Sequence, residues 1–342
     1  MPNYILAFFI ALAMAYILTP GVISLATRLG AMDAPDPRKV HKKPVPRLGG
    51  LAIYLAFTVA ALLTVEMNTE MTGLLLGGTV IAIVGIIDDF KNLPAKVKLL
   101  GQIFAAMILV AFDIRIDFIS DPFGDFLYLE YLAVPATIFW VVGLTNTVNL
   151  IDGLDGLAAG VSMIASVTIA LVALQQGFLL VAVLTAALAG SAMGFLHYNF
   201  NPAKIFMGDT GSMFLGYMLA GISIIGAVKS AATIALIVPI LALGLPILDT
   251  AFAIIRRYRG GVPIFKPDRG HLHHRLLDLG FTQKQAVLLM YVISAVLGLS
   301  AIALTEVSSS IAALIIFAVI AAVLFGAKKL GIFDPKKSIE TH

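Results

Sequence analysis

Cysteine is absent from the 342 residues, which excludes disulfides and thiolate metal sites. Charge is scarce as well. Only 13% of residues are Asp, Glu, Lys or Arg, against roughly 25% in soluble proteins, while 60% are hydrophobic. No stretch reads as a soluble domain. A buried helical core of a soluble protein would need charged helix faces, and these segments lack them. The start, MPNYIL, has no positive n-region, so the first apolar helix is expected to remain rather than act as a cleaved signal.

What the chain does contain is apolar runs of membrane-spanning length. About eleven transmembrane helices are expected. They lie near Tyr4–Leu25, Leu48–Val65, Thr72–Ile87, Leu99–Phe112, Leu132–Val148, Leu157–Leu174, Phe178–Leu196, Ser212–Val228, Ala232–Ile255, Ala286–Leu304 and Ile311–Phe325. The expected fold is an all-α polytopic integral membrane protein, one transmembrane domain over residues 1–342. Basic residues flank alternate helices. Arg28, Arg38, Lys39, Lys42, Lys43 and Arg47 follow the first helix, and the tail carries Lys328, Lys329, Lys336 and Lys337. By the positive-inside rule the N-terminus is outside and the C-terminus cytoplasmic. Segments 26–47, 88–98, 197–211 and 256–285 then become cytoplasmic loops, and only Arg115 and Lys229 fall outside. The net charge of +3 reflects this orientation, so no nucleic-acid partner is expected. The outer segment Ile114–Tyr131 alternates apolar and polar residues around Pro122-Phe123-Gly124-Asp125, the pattern of a short β-hairpin.

The polar clusters share the cytoplasmic side. Asp88-Asp89 ends the third helix. Asn146, Asn149, Asp152 and Asp155 recur every three residues in NTVNLIDGLDGLAAG, a spacing that favours one helix face. Asp209 opens the eighth helix in GDTGS, and His271, His273, His274 and Arg275 lie in the longest inner loop. Acids cost several kcal/mol in hydrocarbon, so such a concentration points to a site. The chemistry that suits it is phosphoryl transfer. Asp88, Asp89, Asp152, Asp155 and Asp209 offer oxygens to Mg²⁺, with Mn²⁺ as the alternative ion. Lys and Arg neutralise the remaining phosphate oxygens. Simpler roles exist for each: a solvated pair for Asp88-Asp89, a helix N-cap for Asp209, and an ion pair with Arg256 or Arg257 for Asp249. The histidines have no Cys and no i, i+4 pair to make a zinc site.

At these residues the chain resembles the polyprenyl-phosphate N-acetylhexosamine-1-phosphate transferase family (glycosyltransferase family 4). The resemblance rests on VPRLGG (Val45–Gly50), GIIDDF (Gly85–Phe90), LPAKVKLLGQ (Leu93–Gln102), the asparagine–aspartate run, NFNPAKIFMGDTGS (Asn199–Ser212) and HLHHRLLDLGF (His271–Phe281). Within the family it is most similar to the branch that initiates wall teichoic acid and enterobacterial common antigen. It departs from the peptidoglycan branch, which has a Thr-Pro-Thr-Met-Gly-Gly type segment at Val45–Gly50 and three successive histidines followed by Phe-Glu at His271–Arg275. The resemblance implies transfer of GlcNAc-1-phosphate from UDP-GlcNAc to undecaprenyl phosphate, releasing UMP. It implies a bacterial plasma membrane location, a site open to the cytoplasm and a homodimer. By position, Asp209 is implied as the main Mg²⁺ ligand, joined by Asp152. Asp88 and Asp89 are implied at the chemistry with Asp152, and Asn149 and Asp155 face uridine diphosphate. Lys91 and Lys98 are candidates for the lipid phosphate. Lys43, Arg47, Arg269, His271, His273 and His274 complete the expected substrate contacts.

A transporter of ions or nucleotide sugars is the main rival, since intramembrane acids also mark ion pathways. Transporter sites lie near the midplane of repeated folds, whereas these acids gather at helix ends and no repeat is evident. A non-catalytic binder of a diphosphate would be repelled by this many acids without a metal. The CDP-alcohol phosphotransferases need an Arg soon after the first Asp-Gly, and Asp152-Gly153 is followed by Leu154-Asp155-Gly156.

Overall fold

A backbone in hydrocarbon must satisfy its own hydrogen bonds, so long apolar runs fold as helices. The computed structural model describes residues 1–35, 43–120, 126–229, 237–261, 270–307 and 309–329. Its helices are α1 (Asn3–Leu29), α2 (Gly50–Thr64), α3 (Thr69–Lys91), α4 (Ala95–Ala111), α5 (Ala133–Leu150), α6 (Leu157–Gln175), α7 (Leu179–Asn199), α8 (Gly208–Lys229), α9 (Ile237–Ala242), α10 (Gly244–Arg259), α11 (Leu272–Asp278), α12 (Gln283–Leu304) and α13 (Ser309–Lys329). The chain is a helical, multi-pass membrane protein. Among the described residues seven helical segments are long and apolar enough to cross a bilayer, those of α1, α3, α5, α6, α7, α8 and α12.

The expected spans fall on helices, but not all as single full-length crossings. Helices α2 and α4 have 15 and 17 residues. The described part of the ninth expected span is divided at Leu243 between α9 and α10. Large apolar side chains such as Phe139, Leu299 and Phe317 face outward, as a lipid-exposed surface requires.

Helix α8 is the hub. It packs against α2, α3, α5, α6 and α7, and Phe214, Tyr217 and Met218 along it are fully buried. Trp140 Nε1 of α5 donates to Ser223 Oγ of α8 at 3.0 Å. Helix α1 lies along α7 through Ala7, Ala11 and Ala15, all without exposure. Small residues at that spacing let helices approach closely, which matters where van der Waals packing must replace the hydrophobic effect. Close approach is also required at Gly85 of α3, where a Cβ would collide with the backbone of Thr210 at the start of α8.

Two small antiparallel pairs complete the fold. Strands β3 (Phe118–Ser120) and β4 (Phe126–Tyr128) pair with Phe118 opposite Tyr128, within the segment expected to form a hairpin. Its turn residues lie outside the described set. Strands β1 (Met32–Asp33) and β2 (Val45–Pro46) pair with Asp33 opposite Val45. Beyond β2 the VPRLGG run is sewn to the approach to α8. Phe206 N donates to Pro46 O at 2.7 Å, Gly49 N to Phe206 O at 3.0 Å and Gly50 N to Met207 O at 2.8 Å. These bonds bring the VPRLGG and NFNPAKIFMGDTGS runs together at one end of the helix bundle.

Candidate active site

Asp89 in the last turn of α3 caps a helix other than its own. Its Oδ1 accepts from Asp209 N at 2.9 Å, and its Oδ2 accepts from Thr210 N at 3.1 Å and Thr210 Oγ1 at 2.6 Å. The first N–H groups of a helix have no internal partner and carry partial positive charge, so a buried carboxylate there is well placed. Gly208, at φ 69°, makes the turn into α8 and leaves no room for a Cβ beside Asp89 and Arg47 O.

Asp88 points to the other side. Its Oδ1 accepts from Leu93 N at 2.7 Å, and its Oδ2 lies 3.5 Å from Lys98 Nζ. Lys98 Nζ also donates to Asp209 Oδ2 at 2.7 Å. Carboxylate oxygens of Asp88, Asp89 and Asp209 lie within 4.8 Å of one another. These three acids could hold a metal ion. Asp89 has most of its lone pairs committed to α8, so Asp88 and Asp209 carry the open ones. That a lysine ammonium bridges those two shows that the spot favours a cation.

The asparagine–aspartate run does not form one helix face. Helix α5 stops at Leu150, residues 151–156 are turns, and α6 starts at Leu157. Glycines at 153 and 156 favour this break, with Gly156 at φ 79°. The four polar groups therefore part company. Asn146 exchanges hydrogen bonds with Gln102 of α4, at 2.6 and 3.3 Å. Asn149 Nδ2 donates to Ser212 Oγ of α8 at 2.8 Å. Asp155 Oδ2 accepts from Asn201 Nδ2 and Ala203 N, both at 3.0 Å. Asp152 lines the cavity. Burial, with the charges of Asp209, Asp89 and Asp155, pushes its carboxyl well above the ordinary carboxylate value. Four acids crowded this way call for a cation when all are ionised.

A cavity of about 320 Å³ joins these groups. Its walls include Asp33, Arg47, Asp89, Asp152, Gly153, Asp155, Phe206, Asp209 and Gln283. Arg47 is fixed at its edge by Asn92 Oδ1 at 3.1 Å and lies 3.9 Å from Asp33.

The histidine segment closes over the Asp-Gly turn. His271 and His273 stack at 5.8 Å, with His274 4.2 Å beyond, and His273 Nε2 sits over Gly153, where a Cβ would be only 2.6 Å away. Burial, then the neighbouring His274, drives the His273 imidazole down to about 3, so it is neutral at physiological pH. Asp249 of α10 holds this segment: its Oδ2 is 2.7 Å from His271 Nδ1 and its Oδ1 accepts from Leu272 N at 2.8 Å. The expected ion pair of Asp249 with Arg256 or Arg257 is thus replaced by a histidine contact.

Of the other expected contacts, Lys43 and Lys91 are exposed and Arg269 lies outside the described residues. Sequence reasoning passed over Asp33, Asn199, Phe206 and Gln283. Asn199 and Phe206 belong to a motif that was noticed, NFNPAKIFMGDTGS. Asp33 and Gln283 had no such signal.

Comparison with known proteins fits this geometry. Residues 71–227, from α3 to near the end of α8, match the model for glycosyl transferase family 4. The "Probable undecaprenyl-phosphate N-acetylglucosaminyl 1-phosphate transferase" of Bacillus subtilis is 43% identical, over 98% of this chain and 94% of that one. The chain belongs to glycosyl transferase family 4. Two further relatives share less identity. The "Decaprenyl-phosphate N-acetylglucosaminephosphotransferase" of Mycobacterium tuberculosis (strain CDC 1551 / Oshkosh) is 38% identical over 82% of this chain and 77% of that one. The "Phospho-N-acetylmuramoyl-pentapeptide-transferase" of Thermoanaerobacter sp. (strain X514) is 31% identical over 85% and 93%. Membership gives the reaction class, transfer of a sugar phosphate to a polyprenyl phosphate. The matched region contains Asp88, Asp89, Lys98, Asp152, Asp155 and Asp209.

Proposed function

We propose that the chain transfers GlcNAc-1-phosphate from UDP-GlcNAc to undecaprenyl phosphate, giving undecaprenyl-diphosphate-GlcNAc and UMP. The observation that carries this reading is the Asp88–Lys98–Asp209 group beside a polar cavity at the end of a membrane helix bundle. The GlcNAc donor is supported by the higher identity to the two N-acetylglucosamine relatives than to the N-acetylmuramoyl-pentapeptide one. On the same reading the cavity opens to the cytoplasm, where the donor is made. The product begins a cell-envelope polysaccharide, as resemblance to the wall teichoic acid branch implies.

Mg²⁺ fits the donor set, which is all carboxylate oxygen. Asp88 and Asp209 would hold it, with Asp152 facing it across the cavity; when bound it neutralises diphosphate charge. The protein's own groups do the rest. Arg47, which lines the cavity, would meet a phosphate. Lys98 would be free to turn to the acceptor phosphate if its carboxylates held another cation. That phosphate needs little activation, because its second pKa is near ~6 and it is largely dianionic at neutral pH. Direct in-line attack on the sugar-linked phosphorus follows, with catalysis by positioning and charge neutralisation. Asp88 then completes the metal shell or orients the acceptor rather than serving as nucleophile.

The test is UMP release by detergent-purified protein given undecaprenyl phosphate and either UDP-GlcNAc or UDP-MurNAc-pentapeptide. Lipid-dependent turnover with the first alone supports the reading. Turnover with another donor replaces the sugar, and exchange of UMP into UDP-GlcNAc without lipid would instead indicate a phospho-enzyme.

A further inference from the structure

Gln283, the first residue of α12, lines the cavity although it belongs to no motif that marks the site. Its side chain is tied into a short relay whose polarity can be read. Asn201 Nδ2 donates to Asp155 Oδ2 at 3.0 Å and to Gln283 Oε1 at 2.8 Å. An ionised carboxylate only accepts, so the group of Asn201 that meets Asp155 must be its NH₂. The same NH₂ faces Gln283, which must answer with its carbonyl oxygen. The Gln283 NH₂ is thereby left as the free end of the amide. Among the described residues it has no hydrogen-bond partner.

The Asp155 end of the relay is equally fixed. Ala203 N donates to the same Oδ2 at 3.0 Å, and Asn199, one step away, is spent on Gly156 N and Ile205 O. Neither Asn201 nor Asp155 can turn without breaking these bonds. Apart from Asn199, whose amide is spent, the polar side chains that line the cavity are therefore acids, Arg47 and Gln283, whose NH₂ is not engaged by any described residue. Arg47 and the metal-facing acids answer the phosphates of a nucleotide sugar. They offer nothing neutral to a carbonyl.

We propose that Gln283 is a specificity-determining residue, whose carboxamide NH₂ donates to a carbonyl oxygen of the nucleotide sugar. The ligand carries that chemistry in two places, the base and the acetamido group. The inference rests on the UDP-GlcNAc reading above and deepens it.

Gln283→Glu is the discriminating variant. It keeps an acceptor for Asn201 and removes the donor, at the cost of an added charge that the salt dependence reports. Gln283→Met removes both. Losing one hydrogen bond to substrate predicts a KM for UDP-GlcNAc raised about tenfold in both variants, with a smaller change in kcat. In Gln283→Glu the rise persists at high salt, because it comes from the lost donor and not from a screened charge. If Gln283 merely props Asn201, KM rises in Gln283→Met and stays at the wild-type value in Gln283→Glu, and the proposal is overturned. A rise in Gln283→Glu that vanishes at high salt also overturns it. Competitive inhibition by UDP locates the carbonyl: a parallel weakening places it on the base, and unchanged inhibition places it on the acetamido group. A wild-type protein that neither turns over UDP-GlcNAc nor is inhibited by UDP defeats the function itself, a result separate from either variant.

Discussion

Lys98 Nζ lies 2.7 Å from Asp209 Oδ2 and spans to Asp88, so the ion pair joins α4 to the start of α8 and the end of α3. The ammonium sits where a divalent cation would neutralise the same two carboxylates. Lysine and a bound metal would therefore compete. Replacing Lys98 with Met should tighten divalent-ion binding, because the competitor is gone, and lower turnover by about a hundredfold, because the acceptor phosphate loses a neutralising charge. Mn²⁺ titration followed by electron paramagnetic resonance, beside UMP release, checks both. Weaker Mn²⁺ binding in the variant would contradict the competition.

Asp89 has a different part from Asp88, although the two are adjacent. Its three hydrogen bonds from Asp209 and Thr210 make it the cap of α8. Asp89→Ala removes the acceptor and leaves buried N–H groups unpaired, at a cost of about 1–3 kcal/mol. Thermal unfolding in detergent should show a clear loss for Asp89→Ala and a smaller one for Asp88→Ala, which gives up a single backbone bond from Leu93 N. Equal effects would remove the distinction.

Asp249 holds His271 and Leu272, and on the proposed function it would act on the site through them. Asp249→Asn should preserve one acceptor for Leu272 N but weaken the hold on His271 Nδ1. The expected result is a KM for UDP-GlcNAc raised several-fold, with membrane insertion and yield unchanged. A kcat effect with unaltered KM would place Asp249 elsewhere in the mechanism.

His273 gives the protein an acid-side instability. Its imidazole titrates at about 3 when folded, below the ordinary 6.5, because it is buried. The unfolded chain takes up this proton below about pH 6.5 and the folded one does not. Stability from this group is whole above pH 6.5 and declines as pH falls toward 3. Between pH 6.5 and 4.5 the wild type should lose about 2 kcal/mol more than His273→Gln. Parallel pH profiles of the two melting temperatures would refute it.

The membrane class and the main acids were legible in the sequence because both depend on composition. Charge is rare here, and where it concentrates at helix ends the physical cost demands a reason. The asparagine–aspartate run was misread as a helix face because a spacing of three was weighed above the two glycines that end the helix. Gly153 and Gly156 held the contrary signal. Asp249 was misassigned for another reason: Arg256 and Arg257 are near in sequence, while His271 arrives only through the fold. Gln283 and Asp33 were invisible for the same cause, since only the meeting of α12 and β1 with the Asp-Gly turn gives them a role.

On the proposed function, Asp209 serves a metal-dependent transfer to a polyprenyl phosphate. Its most direct test is Mg²⁺-dependent formation of the sugar lipid from undecaprenyl phosphate and UDP-GlcNAc by the wild type and Asp209→Asn. The substitution leaves the backbone N–H that bonds Asp89 in place, so the fold should hold. Turnover that requires both lipid and Mg²⁺, falling at least about a hundredfold in the folded variant, is the predicted result. Turnover that ignores Mg²⁺, or that survives the substitution, would contradict it.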